Sequence, residues 1–130
     1  MQAFETTVPT DFPATEAALR EALGVQGFGV VSEIDVAANL KNAVGVERPP
    51  LKILGACSPV LVQQALALDP SVALLLPCNI VLQPADGGGT NVQAVDPRAL
   101  MDNPDFAELA AQAAESLELA LAQLDTHTAA

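Results

Sequence analysis

Residues 72–95 read Val72-Ala73-Leu74-Leu75-Leu76-Pro77-Cys78-Asn79-Ile80-Val81-Leu82-Gln83-Pro84-Ala85-Asp86-Gly87-Gly88-Gly89-Thr90-Asn91-Val92-Gln93-Ala94-Val95. Asp86 to Gly89 is turn chemistry: glycine supplies the positive φ that tight hairpin turns need. The flanking segments are apolar and rich in β-branched residues, so they predict two strands joined as a hairpin. A hairpin makes its strands antiparallel, and that decides the sheet type. Val72 to Leu82 contains strand-like runs on either side of Pro77. A proline cannot donate to a strand ladder, so Pro77 is expected at an edge or a bulge.

Upstream, Leu51 to Cys57 reads as a strand, and Ser58 with Pro59 opens a helix that runs to Leu68. Serine is a helix-capping residue and proline fits the first turn. The apolar set of that helix is Val62, Ala65, Leu66 and Leu68, and Asp69-Pro70 turns the chain. Further back, Gln2 to Val8 predicts a short strand. Asp11 and Pro13 start a helix that buries Ala18, Leu19, Ala22 and Leu23, with Gly24 and Gly27 marking its end. Phe28 to Val36 alternates, placing Phe28, Val30, Ser32, Ile34 and Val36 on one face and Val31, Glu33 and Asp35 on the other. A short helix, Ala37 to Val44, stops at Gly45. Downstream, Asp96-Pro97 leads into a brief helical segment. Asn103-Pro104 then starts the longest helix, to about Leu124. There Phe106, Ala110, Ala113, Leu117, Leu121 and Leu124 form one apolar stripe. Residues 125–130 are expected to fray. The order of elements predicts one α+β domain spanning 1–130, its ordered core at about 2–124. Its largely antiparallel sheet carries helices on one face.

Composition narrows the function classes. The 130 residues hold 16 acids against five bases, a net charge of −11, and only 3% aromatic side chains, with no Trp or Tyr. Binding a phosphate backbone requires Lys and Arg to release its counterions, so neither nucleic acid nor an anionic membrane is an expected partner. No signal-like N-terminus and no apolar run of membrane-spanning length is present. Two cysteines are too few for a disulfide scaffold. A cytoplasmic protein with reduced thiols is the expectation.

Three groups of residues can carry chemistry. Cys57 lies at a strand end just before a helix, where backbone N–H groups and the helix dipole favour a thiolate. Cys78 lies where Pro77 bends the chain. If their strands are neighbours, the thiols can form a reversible disulfide or hold a soft metal such as Cu(I). Equally, cysteine packs as a small hydrophobe in cores. Two thiols and His127, which falls in the expected tail, are too few for a four-ligand zinc site in one chain. A dimer sharing four thiols would lift that limit. Ser58 and Asn79 are placed next to these thiols. Glu33 and Asp35 share a strand face about 6–7 Å apart and suit acid–base work, a hard cation or plain edge charge. Lys41, Arg48 and Lys52 pair with those acids, hold a small anion or are simply solvated. Gly27-Phe28-Gly29 precedes a strand and lacks the context of a dinucleotide loop. No Ser-His-Asp set is available.

Several motifs in order carry a family resemblance. They are Phe28-Gly29-Val30, Glu33-Ile34-Asp35-Val36, Leu40-Lys41, Ile53-Leu54-Gly55-Ala56-Cys57-Ser58-Pro59, Leu74-Leu75-Leu76-Pro77-Cys78-Asn79 and Ala94-Val95-Asp96-Pro97. Over about residues 4–124 the chain resembles domain-of-unknown-function family 302. The resemblance implies a β-α-β4-α fold grouped with TATA-binding-protein-like folds, and a homodimer. The family has no established activity, so it assigns no catalytic residue. The resemblance further implies Asn in close relatives where Ser58 stands here, and other branches that lack the two cysteines. The expected function is thus a small dimeric binding or sensing module. Its thiol-based site, redox or soft-metal, gathers Cys57, Cys78, Ser58 and Asn79, and takes a metal ion, a small ligand or no cofactor at all. The rivals are a structural or interaction protein with core cysteines, and an enzyme using Cys57 without a visible base.

Overall fold

A computed structural model describes the backbone of residues 2–128 and the side chains of residues 2–125. Its sheet is assembled around the hairpin of β4 (Cys78–Pro84) and β5 (Thr90–Val95). Ala85 N–H donates to Gly89 O at 3.1 Å, and Gly87, Gly88 and Gly89 all have positive φ. Gly89 also has no room for a side chain: an added Cβ would sit 3.1 Å from Pro9 Cα and press on the Val8 carbonyl. β1 (Ala3–Val8) pairs with β5, β3 (Lys52–Cys57) with β4, and β2 (Gly29–Asp35) with β3. The order is β1-β5-β4-β3-β2, antiparallel throughout.

Helices α1 (Phe12–Val25), α2 (Val36–Val44), α3 (Pro59–Leu68), α4 (Pro97–Leu100) and α5 (Ala107–Thr128) lie to one side of the sheet. α1 carries the chain from the β1 edge to the β2 edge. Its start follows from Asp11, whose carboxylate accepts Ala14 N–H at 2.8 Å, with Pro13 in the first turn. The core forms where α1 and α5 meet the sheet. Leu19, Leu23, Leu54, Ile80, Leu82, Val92, Leu117 and Leu124 are fully buried there. Each such side chain contributes roughly 1.5–3 kcal/mol on leaving water. All six residues of the expected α5 stripe are buried. β4 and β5 show the alternation of strands buried on one face only.

Six details differ from expectation. Residues before Pro77 do not form a strand: Pro70–Leu75 is a 3-10 turn, capped by Asp69 accepting from Ser71 N–H. An apolar run has no period that separates strand from helix, and the Asp69-Pro70 cap decides it. Pro77 sits at neither an edge nor a bulge but just ahead of the central strand β4, after a cis Leu76-Pro77 peptide. In β2 a bulge at Val31 breaks the alternation, since Val30 opposes Ala56 while Ser32 opposes Gly55. The extra residue turns Val30 toward the core side with Glu33 and Asp35, and leaves Ser32 and Ile34 on the uncovered face. Within α3 the buried residue is Ala65, while Leu66 and Leu68 are exposed, because α3 packs mainly against the Pro70–Leu75 turn and α5 and not flat upon the sheet. Gly24 lies inside α1, which ends at Val25 with Gln26 as its cap, and Gly27 follows at φ 81°. At the other end α5 continues through Thr128, so residues 125–128 are helical; 129–130 lie outside the described residues.

Candidate functional site: an apolar cleft walled by sulfur

Because β3 and β4 are antiparallel neighbours, the C-terminal end of one lies beside the N-terminal end of the other. The register pairs Ala56 with Cys78, one position from Cys57. Two cysteines 21 positions apart in sequence therefore lie at the same end of the sheet. Both line a small cavity of about 30 Å³ under α3, together with Phe28, Ser58, Leu61 and Met101. The walls are otherwise aliphatic.

Cys78 is buried and Cys57 partly so, and neither is in a disulfide. Burial pushes the Cys57 thiol up. The Cys78 thiol is pushed up to about 11, first by burial and then by the neighbouring Cys57 charge. At Cys57 withdrawal from water works against the expected thiolate. Ser58 is buried, caps α3 and accepts from Leu61 N–H at 3.5 Å. Asn79 does not join them. Pleating sends adjacent residues to opposite faces, so Asn79 is exposed in a wider hollow of about 560 Å³ on the uncovered sheet face, with Pro77, Val81 and Gln93.

The charged candidates are tied to one another. Lys52 Nζ lies 2.8 Å from Glu16 and 2.7 Å from Glu33, while Arg20 bridges the same two carboxylates. Hydrogen bonding and charge from Lys52, with Arg20 behind them, hold the Glu33 carboxyl below its usual range. Donating to the Glu16 and Glu33 carboxylates raises the Lys52 pKa. Asp35 is spent on a cap, accepting Ala38 N–H at 3.0 Å. Lys41 pairs with Glu47 at 3.6 Å on the surface, and Arg48 bonds the Pro49 carbonyl. Glu33 and Asp35 share a face, as expected, yet each is engaged structurally.

Among the described residues no group of three His, Cys, Asp or Glu could hold a metal; the His127 side chain lies outside them. Met101, which follows α4, is the lining residue that sequence reasoning missed. A lone methionine after a short helix carries no spacing signal. No helix among the described residues is long and apolar enough to cross a membrane.

No curated protein matches the sequence. Among solved structures, an uncharacterised conserved protein of the DUF302 family from Bacillus stearothermophilus superposes with a TM-score of 0.86 at 27% identity. The match covers 95% of this chain and 98% of that one. The family model described as domain of unknown function DUF302 matches residues 4–124. The sequence motifs, the sheet order and this match agree: the chain belongs to the DUF302 family.

Proposed function

We propose that this protein is a small binding or sensing module whose site is the cleft under α3, with Cys57 and Cys78 as its reactive groups. One observation carries the reading: thiols from neighbouring strands line a single cavity. An apolar pocket with few converging polar or soft groups is the usual form of a small-ligand site. The raised thiol pKa values speak against a nucleophilic enzyme, which needs the thiolate and a base. They are compatible with slow redox chemistry or with a metal that displaces the protons. Reduced thiols of this kind belong to a reducing compartment such as the cytoplasm.

A rival reading makes both cysteines core side chains, and Cys78 favours it, being 5% exposed within the main apolar cluster. Selective thiol labelling of the native protein, purified without oxygen, separates the two. The binding reading expects Cys57 to react while the chain is folded, and Cys57→Ala or Cys78→Ala to abolish ligand uptake or disulfide formation. Two thiols inert in the native state, with substitutions that alter only stability, would establish the core reading.

A homodimer belongs to the same proposal. It rests on the family resemblance and on large apolar side chains left in solvent, among them Val60, Leu68 and Leu74. Native mass spectrometry reports assembly state in the same experiment, and a monomer at micromolar concentration would remove the dimer from the proposal.

A further inference from the structure

We propose that the cleft under α3 is a three-sulfur site for one monovalent soft metal ion, Cu(I), with Cys57, Cys78 and Met101 as donors. The inference rests on the thiol reading above and names its ligand. Cys57 and Cys78 come from the sheet, and Met101 from the segment linking α4 to the 3-10 turn Pro104–Phe106. All three line the same cavity of about 30 Å³, a volume suited to one small occupant. Its walls bring no carboxylate, imidazole or amine. Met101 is the chain's one internal methionine, so the lining of this one cavity includes every sulfur-bearing residue beyond Met1.

Donor softness selects the metal. Thiolate and thioether ligands favour Cu(I), whereas Mg²⁺ and Ca²⁺ demand oxygen ligands. Structural zinc takes four ligands, and a fourth metal-binding side chain does not line this cavity. Binding breaks two S–H bonds, sends both protons to solvent and forms two Cu–thiolate bonds. The Met101 thioether adds a lone pair and has no proton to lose. Copper enters and stays as Cu(I), so no electron is transferred. The occupied site carries one negative charge. Ser58, the N-cap of the ten-residue α3, lines the cavity, and its hydroxyl, which accepts from Leu61 N–H, keeps its own proton to donate.

The test is a Cu(I) titration of the full chain, without oxygen, against a chromophoric Cu(I) chelator, with X-ray absorption of the loaded protein. The expected result is one Cu(I) per chain with three sulfur neighbours. Met101→Leu preserves volume and is expected to leave two sulfur neighbours and weaken affinity roughly 10–100-fold, the scale on which site partners act. Two sulfur neighbours in the unaltered protein, or equal affinity in Met101→Leu, would overturn the three-sulfur site while the thiol reading stands. Unchanged Cu(I) binding in Cys57→Ser/Cys78→Ser would sink the thiol reading itself. No copper uptake by the unaltered protein would refute the metal assignment, with thiol labelling deciding the fate of the broader reading.

Discussion

Cys78 shows how one side chain serves packing and chemistry at once. It opposes Ala56 in the sheet and joins Leu54, Ile80 and Ala113 in the main core. Removing the thiol from water favours its neutral form, which is why its pKa rises from 9.0 to about 11. That shift is also a statement about stability. The folded protein holds the Cys78 proton more tightly than the unfolded chain does. The stabilisation is therefore fully present below about pH 9 and is lost as pH climbs through about 11. A shift of this size corresponds to about 2–3 kcal/mol across that window. Lys52, also raised, loses stabilisation above its ordinary value of 10.5, so the cysteine effect must be read as a difference. Denaturant unfolding at pH 7, 9 and 10.5 is expected to show the unaltered protein weakening more steeply than Cys78→Ala. Parallel curves would mean that the thiol is solvated in the native state.

Among the elements, α2 depends most on its ends. None of its nine residues is buried, so tertiary packing contributes little, and short helices are marginal on their own. Asp35 caps its first turn, and Gly45, at φ 71°, closes the last with a bond to the Lys41 carbonyl at 3.0 Å. Losing such an N-cap costs about 1 kcal/mol. Asp35→Ala is expected to speed hydrogen exchange of the amides in residues 36–44 about five- to tenfold, with the global unfolding midpoint little changed. A fall in global stability with no local change in exchange would show instead that α2 unfolds with the core. The same capping logic made several elements legible in sequence: Asp11 with Pro13, Ser58 with Pro59, and the Asp86–Gly89 hairpin each mark their boundary. Legibility failed where tertiary context decided. The bulge at Val31 accommodates a mismatch between β2 and β3 that β2 alone does not show. Gly55, within a recognisable motif, owes its identity to two side chains pressing on it. A Cβ there would meet Pro77 Cγ at 2.5 Å and collide with Ser32 Oγ.

At the scale of the whole molecule, long-range pairing created what sequence reading left open. That the two cysteines line one cleft follows from β3 lying beside β4, and that Asn79 leaves it follows from the pleat. Met101 reaches the cleft only through the packing of α4 and α5. Charge acts at this scale as well. Five bases cannot neutralise 16 acids, and the ion pairs engage Glu16, Glu33, Glu47 and Asp96. Folding brings the acids together, so net repulsion opposes it. The counter-effect is local: Glu16, Arg20, Glu33 and Lys52 bind α1 to β2 and β3, and salt weakens such pairs. The exposed Arg20–Glu33 pair contributes at most about 1 kcal/mol, and the partly buried Lys52–Glu16 pair is less open to screening, whereas repulsion sums over the whole surface. Screening should therefore win. Raising NaCl from about 10 to about 150 mM shortens the Debye length from about 30 to about 8 Å. It is expected to stabilise the protein by about 1 kcal/mol, a rise of roughly 4 °C in Tm. Lys52→Met removes one of five cations and leaves Glu16 and Glu33 facing each other with Arg20 alone. Its Tm should start lower and climb more steeply with salt than that of the unaltered protein. A Tm that falls as NaCl is added would show that the Lys52 network, and not the surplus of acids, governs the electrostatics of this fold.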